Sequence, residues 1–307
     1  GANDGMLHAF QASNGNELFA YIPSWMGPKL AALTSTSYNS NHQNYVDATP
    51  TVATAKVGST GSSADWKTVL VSGTGGGGAG IFALDVTNPA AFSASNVMWE
   101  FTHADDADLG YVVGKPQIVK MRTSAPGAIA TYKWFVMVAS GVNNYVRDTT
   151  FGNTYSTTGK PALFLLALDK AAGVAWTATG TSPNYYKISL PTDTTLSASY
   201  ATGLINFRPI FGAASEVTQV YMGDLHGKLW KLDFSLHGTV EWTMNKLSAY
   251  NKGTAAAPDP YPLYIAKTGA TTPVIQPISM APSVIVGPVV AGLDTRYIVF
   301  GTGKYLE

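Results

Sequence analysis

Residues 220–233 read VYMGDLHGKLWKLD. Two short apolar arms, Val220-Tyr221-Met222-Gly223 and Leu229-Trp230-Lys231-Leu232, flank turn residues from Asp224 to Gly227. Gly227 is free to take a positive φ, so the stretch predicts a β-hairpin. Asp233 closes the second arm. A short apolar strand carrying an aromatic, Val240-Glu241-Trp242, is expected next.

The same unit recurs along the chain. Residues 69–85, VLVSGTGGGGAGIFALD, precede VMWEF at 97–101. Residues 135–169 begin FVMVASGVNN and end LFLLALD, with Gly173 and Trp176 following. A Pro-containing strand stands before each full copy: TPTVA at Thr49, GKPQIV at Gly114 and FRPIF at Phe207. A fourth such strand, APSVIV at Ala281, leads only to YIVFGTGK, and residues 6–21 supply only the last two strands of a copy. One unit is therefore a Pro-led strand, an apolar strand ending in Gly, a strand ending in Asp, and a strand with an aromatic. A repeated unit of four antiparallel strands is the pattern of a β-propeller blade. The expected fold is all-β, a modified propeller with about four blade equivalents in one domain over residues 1–307. The half-units at the two ends either pair to close a small ring or mark an arc of a larger propeller. The chain starts in mid-blade without Met, so it reads as a piece of a longer protein.

Composition narrows the classes. Charged residues are 12% of the chain, about half the usual quarter, so Ser, Thr, Asn and Gly must carry much of the surface. That balance suits a protein outside the cytoplasm. Net charge is zero and no basic block points to nucleic acid. Cysteine is absent, which excludes thiol chemistry and disulfide staples. No apolar run is long enough to span a bilayer as a helix.

Several stretches invite a functional reading. The glycine run at 75–78 suggests a phosphate loop, but no Gly-Lys-Ser/Thr and no helix follow, so a strand connection is the expectation. FTHADDADLG at 101–110 places Asp105, Asp106 and Asp108 beside His103. Closely spaced carboxylates suit a hard cation, yet the alternating ligands, mid-loop Gly and distal Glu of a calcium loop are missing. A solvated loop with a capping Asp is the reading retained, and no metal site is assigned. The five histidines, His8, His42, His103, His226 and His237, show no metal-ligand spacing. No Gly-x-Ser-x-Gly elbow is present, and no catalytic residue is assigned. Residues 143–160, NNYVRDTTFGNTYSTTGK, interrupt a blade between its second and third strands. Such an insert either projects to bind a partner or is disordered. Tyr145, Arg147, Phe151 and Tyr155 are its contact candidates. Residues 177–203 and 245–277 read as further polar interruptions, the second with Tyr264-Ile265-Ala266 and Val274-Ile275 as a hairpin.

Two family resemblances follow from these residues. Ala167-Leu168-Asp169, Gly173 and Trp176 resemble the tryptophan-docking repeat of quinoprotein dehydrogenases. There the Asp caps a turn and the Trp packs between blades, which is a structural role. The longer motifs GANDGMLHAF, YVDATPTVA, WEFTHADDADLGYVVGKPQIV, VYMGDLHGKLWKLDFS and VFGTGKYLE resemble the C-terminal domain of the PilC/PilY family. That family comprises type IV pilus biogenesis and adhesion proteins, and the likeness covers nearly the whole chain. It implies a modified propeller, usually described as seven-bladed, at the bacterial cell surface, the pilus tip or the outer membrane and periplasm. It implies support of pilus extension against retraction, with pilins or minor pilins and a host or surface receptor as partners. It does not imply an enzyme; the alternative is the scaffold of a quinone-dependent dehydrogenase. Some family members carry a calcium loop just before the strand matching Val220-Tyr221. Here that run is Ile210 to Thr218, IFGAASEVT, with Glu216 its one carboxylate, so no calcium and no other cofactor is expected there.

Overall fold

The computed structural model describes residues 1–147, 154–269 and 274–303. Its strands fall into successive antiparallel sheets in chain order. β1 (Leu7–Phe10) and β2 (Glu17–Tyr21) form a hairpin. The first complete blade runs β3 (Thr51–Lys56), β4 (Trp66–Gly73), β5 (Gly80–Asp85) and β6 (Val97–Thr102), each paired with the next. The second blade starts with β7 (Gln117–Arg122) and β8 (Tyr132–Ala139). The short β9 (Gly141–Val142) then leaves for the next sheet, before β10 (Ala162–Ala167) and β11 (Tyr185–Ser189) complete the blade. The third blade is β12 (Gly203–Phe211), β13 (Val217–Asp224), β14 (Lys228–Asp233) and β15 (Tyr264–Ile265), with β9 at the edge beside β12. β16 (Ser283–Val290) and β17 (Leu293–Val299) form a last hairpin. The first and last hairpins are separate sheets, so strand sharing between them does not close a ring.

Burial on both faces explains the apolar runs. Successive side chains on a strand point to opposite faces. On β8, Phe135, Met137 and Ala139 pack with Val220, Met222 and Trp230 of the third blade. The alternate residues Val136 and Val138 pack with Val69, Val71 and Ile81 of the first. β10 divides in the same way, Leu163 and Leu165 to one side and Phe164 and Leu166 to the other. A strand covered on both faces is apolar at every position. Each such side chain contributes about 1.5–3 kcal/mol when fully buried.

The glycines that end the second strands have a steric cause. A Cβ at Gly73 would meet Val112 at 2.9 Å, and one at Gly223 would meet Ile278 at 2.1 Å. Val112 and Ile278 lie on the connections leading into β7 and β16, so each glycine lets the next sheet's lead-in cross.

The hairpin at 220–233 forms as the turn residues predict, with Met222 opposite Trp230 and Gly227 at φ 73. Asp224 is its hub. Its buried carboxylate accepts the backbone N–H of His226 at 2.9 Å and of Lys228 at 3.0 Å, and Trp230 Nε1–H at 2.9 Å. Burial pushes this carboxyl group up, against the pull of those donors. Its carbonyl accepts the Ile278 N–H at 3.1 Å, which ties the turn to the lead-in of the last hairpin.

Val240-Glu241-Trp242 is not a strand. Residues Thr239–Glu241 make a single 3-10 turn, and β15 takes the fourth position through Lys228↔Ile265 and Leu229↔Tyr264. The reason is Trp242, which turns inward onto the second blade. Its ring lies 4.8 Å from Tyr186 of β11 and 5.3 Å from Phe135 of β8. Trp176 does the same one blade earlier, edge-on to Trp99 at 5.2 Å and Phe101 at 5.1 Å, both on β6. In the first blade the matching ring is Phe92, stacked 3.9 Å from Phe19 of β2. Trp99 belongs to a fourth strand and receives a docking ring. Residues 177–203, expected as a polar loop, hold β11. Glu100 adds polar stitching: its carbonyl accepts Trp176 Nε1–H at 2.6 Å, and its carboxylate accepts the Tyr21 hydroxyl at 2.5 Å and the Ser24 N–H at 2.7 Å. Burial, then the Glu100 charge, push the Tyr21 phenol upward.

Two outcomes follow. Trp242→Ala removes a buried ring from between two blades and is expected to cost about 3–5 kcal/mol. Trp176→Ala, at a half-exposed ring, is expected to cost less. Denaturant titration of both variants measures the difference. The second outcome concerns His8, which bridges Glu17 at 2.5 Å and Asp4 at 2.8 Å across the first hairpin. The Glu17 hydrogen bond, then the Asp4 hydrogen bond, raise its imidazole above the usual 6.5. The protonated form is favoured in the folded hairpin. Its stabilisation is present below the unfolded value and is lost as pH rises through the raised one. NMR titration is expected to show His8 titrating high and Glu17→Gln bringing it down.

Candidate functional site

The insert after β9 leaves the blade at Asn143, whose φ of 60 is a left-handed conformation that Asn tolerates. Its foot is part of the fold. Asn144 is buried, and its Nδ2 donates to the carbonyls of Asp108 at 3.1 Å and Lys160 at 3.0 Å. Ser156 is 3% exposed, and its N–H donates to the Asn144 carbonyl at 2.7 Å. The Ser156 hydroxyl donates to the Asp108 carboxylate and accepts the N–H groups of Thr158 at 3.2 Å and Gly159 at 2.9 Å. The two described ends of the 143–160 stretch are therefore not a free projection; they are pinned together on the acidic loop.

Above that foot the candidate residues divide. Tyr145 and Arg147 are exposed and Tyr155 is half-buried. Arg147 lies over the Tyr155 ring at 5.2 Å, with its guanidinium 3.5 Å from the hydroxyl. A guanidinium on an aromatic face is a cation–π pair, worth about 0.5–1 kcal/mol when exposed. Phe151 lies outside the described residues.

The acidic loop is used internally. Asp105 accepts the Thr102 N–H at 2.8 Å and caps a turn. Lys187 of β11 spans the other two carboxylates, 2.9 Å from Asp106 and 2.9 Å from Asp108. The Tyr185 hydroxyl donates to Asp106 at 3.0 Å. Burial pulls the Lys187 amine down, but its bonds to Asp106 and Asp108 prevail and hold it above the ordinary lysine range. Burial, then the Asp106 charge, push the Tyr185 phenol up. The cation facing Asp106 and Asp108 is thus a lysine from the same chain. Sequence reasoning found the carboxylates and missed Lys187 and Tyr185, because 81 and 79 residues separate them from Asp106.

The other flagged stretches have packing roles. Residues Gly75–Gly77 form a 3-10 turn, and a Cβ at Gly77 would lie 1.6 Å from the Tyr45 carbonyl oxygen. β5 follows it, as a strand connection requires. Ile210 to Thr218 is a tight reversal: Phe211 pairs with Val217, Gly212 N–H donates to the Glu216 carbonyl at 2.8 Å, and Lys120 caps the Ala214 carbonyl at 2.5 Å. Among the described residues, no three His, Cys, Asp or Glu side chains are grouped to hold a metal ion. No helix among them is long and apolar enough to cross a membrane.

Comparison with known proteins places this architecture. The family model of the PilY1 beta-propeller domain matches residues 1–307. The chain is 34% identical over 311 residues to the type IV pilus biogenesis factor PilY1 homolog of Xylella fastidiosa, covering 99% of this chain and 18% of that protein. It is 33% identical over 315 residues to the type IV pilus biogenesis factor PilY1 of Pseudomonas aeruginosa, covering 100% of this chain and 23% of the relative. The crystal structure of the Pseudomonas aeruginosa PilY1 C-terminal domain superposes with a TM-score of 0.67 at 27% identity. That match covers 100% of this chain and 52% of the solved one.

The Lys187 bridge generates a direct test. Lys187→Ala leaves two carboxylates facing each other in a half-buried site and is expected to destabilise by about 2–4 kcal/mol. Hydrogen exchange is expected to show opening at Asn144 and Ser156 first, since Asp108 is the anchor for both.

Proposed function

The chain belongs to the PilY1 β-propeller family, and from that we propose that it acts in type IV pilus biogenesis as a binding and scaffolding domain. It spans 23% of the Pseudomonas aeruginosa relative, so the role proposed is that of one domain within a larger factor. The finer reading is attachment: the propeller holds the insert outward at the pilus or cell surface, where it meets a host or surface receptor. Pilins or minor pilins are the proposed assembly partners.

One observation carries this reading. The insert is anchored by buried Asn144 and Ser156, yet its next residues present Tyr145 and the stacked Arg147–Tyr155 pair. Binding residues sit most often on loops that a rigid scaffold positions, and Tyr and Arg are prominent among contact residues. The docking tryptophans are shared with quinoprotein repeats, but here Trp176 and Trp242 fill interblade seams. They give the dehydrogenase alternative no support.

The test uses the full-length protein in cells lacking their own copy. Combined Tyr145→Ala, Arg147→Ala and Tyr155→Ala substitution is expected to leave surface pili in place and to reduce attachment several-fold. Loss of pili would assign the insert to assembly. Unchanged attachment with normal pili would remove the insert from the contact surface.

A further inference from the structure

A groove of about 410 Å³ lies between the insert and the loop that leads into β12. Tyr145 stands on one wall and Tyr200 on the other, 37% and 42% exposed. Among the described residues, every lining side chain apart from Gly159 and Ala201 ends in a hydroxyl, and none carries a formal charge. The size falls in the range of small-molecule sites, about 300–1,000 Å³.

The floor is fixed before any ligand arrives. Thr202 Oγ1 donates to the Gly159 carbonyl at 2.6 Å and joins the two walls. Ser156 holds the N–H groups of Thr158 and Gly159. Gly159 sits at φ 59 directly beneath Tyr145, whose Cβ lies 3.6 Å from where a Gly159 Cβ would stand. On the opposite wall, Asp193 caps the helical turn Thr194–Ser197, and Tyr200 N–H closes on the Leu196 carbonyl at 2.8 Å. Above this floor, the side chains of Tyr145, Thr157, Ser199 and Tyr200 make no hydrogen bond among the described residues. All four are exposed, where a ligand can reach them.

We propose that this groove binds a neutral saccharide. The C–H face of a pyranose ring is apolar and stacks on tyrosine, while its rim of hydroxyls matches donors and acceptors such as Thr157 and Ser199. An anionic ligand would find no cation among the described lining residues. An extended apolar ligand would strip water from hydroxyls and offer no hydrogen bond in return, a penalty for each group left unpaired. The assignment deepens the attachment role and rests on it: a glycan is what the insert face would hold on a cell or matrix.

Saturation-transfer NMR on the full chain with galactose, mannose and N-acetylglucosamine is the test, with sialic acid as the charged control. At least one neutral sugar is expected to bind saturably in the millimolar range. Tyr145→Ala and Tyr200→Ala are each expected to weaken it about tenfold, with the melting temperature of each variant checked. Tyr200→Phe keeps the ring face and is expected to retain binding, which separates stacking from a folding defect. No saturable signal from any neutral sugar, binding indifferent to both alanine variants, or preference for sialic acid would overturn the groove. Attachment by cells carrying full-length Tyr200→Ala distinguishes the two readings. Sugar binding lost in Tyr200→Ala with attachment intact keeps the groove as a sugar site and overturns its part in attachment. Attachment that depends on Tyr145, Arg147 and Tyr155 without sugar binding does the reverse.

Discussion

The fold depends on an aromatic ring handed from each blade to its neighbour. Phe92, Trp176 and Trp242 leave their own blades after the third strand and insert against the fourth strand of the blade before. Edge-to-face and offset contacts of this kind add about 0.5–1.5 kcal/mol to the area they bury. Their larger effect is geometric. They hold the sheets face to face, so that Val136 and Phe135, neighbours on one strand, can enter two different cores. A blade alone would expose both of those faces, and stability is therefore shared across interfaces as in other repeat proteins.

Much of this was legible in the sequence, and the limits are instructive. The second and third strands show as apolar runs because both their faces are covered. The Asp224–Gly227 turn shows because a capping carboxylate and a positive φ are local demands. Of the fourth strands, β6 shows as VMWEF at 97–101, while β11 hides in a stretch that reads as polar loop and β15 in one that reads as an arm of a separate hairpin, because both are short and held by pairing to strands already in place. Trp242 looks like a strand residue when only its apolar neighbours are read. What it does is decided by a groove on another blade, about which a local window carries no information.

The same distinction applies to the candidate site. The polarity, length and aromatics of the insert marked Tyr145, Arg147 and Tyr155. Nothing local marked the insert's anchors, because Asn144 and Ser156 look like ordinary loop residues until the Asp108 loop is set beside them. The acidic cluster looked solvated because its counter-charge, Lys187, comes from a strand hidden in a polar stretch. The groove walls, Tyr145 and Tyr200, lie 55 positions apart in the chain and meet through contacts such as the Thr202–Gly159 hydrogen bond, which no local window contains.

The docking rings also have a direction. Phe92 lands on Phe19, Trp176 on Trp99 and Phe101, and Trp242 on Tyr186, always on residues nearer the N-terminus. The receiving surface has therefore left the ribosome before the ring that fills it. Domains generally form from the N-terminus during synthesis, and exposed intermediates aggregate. A chain whose seams close backward can seal each blade as it emerges, without waiting for the next. Sequential closure keeps the number of open apolar faces small at every length of the growing polypeptide.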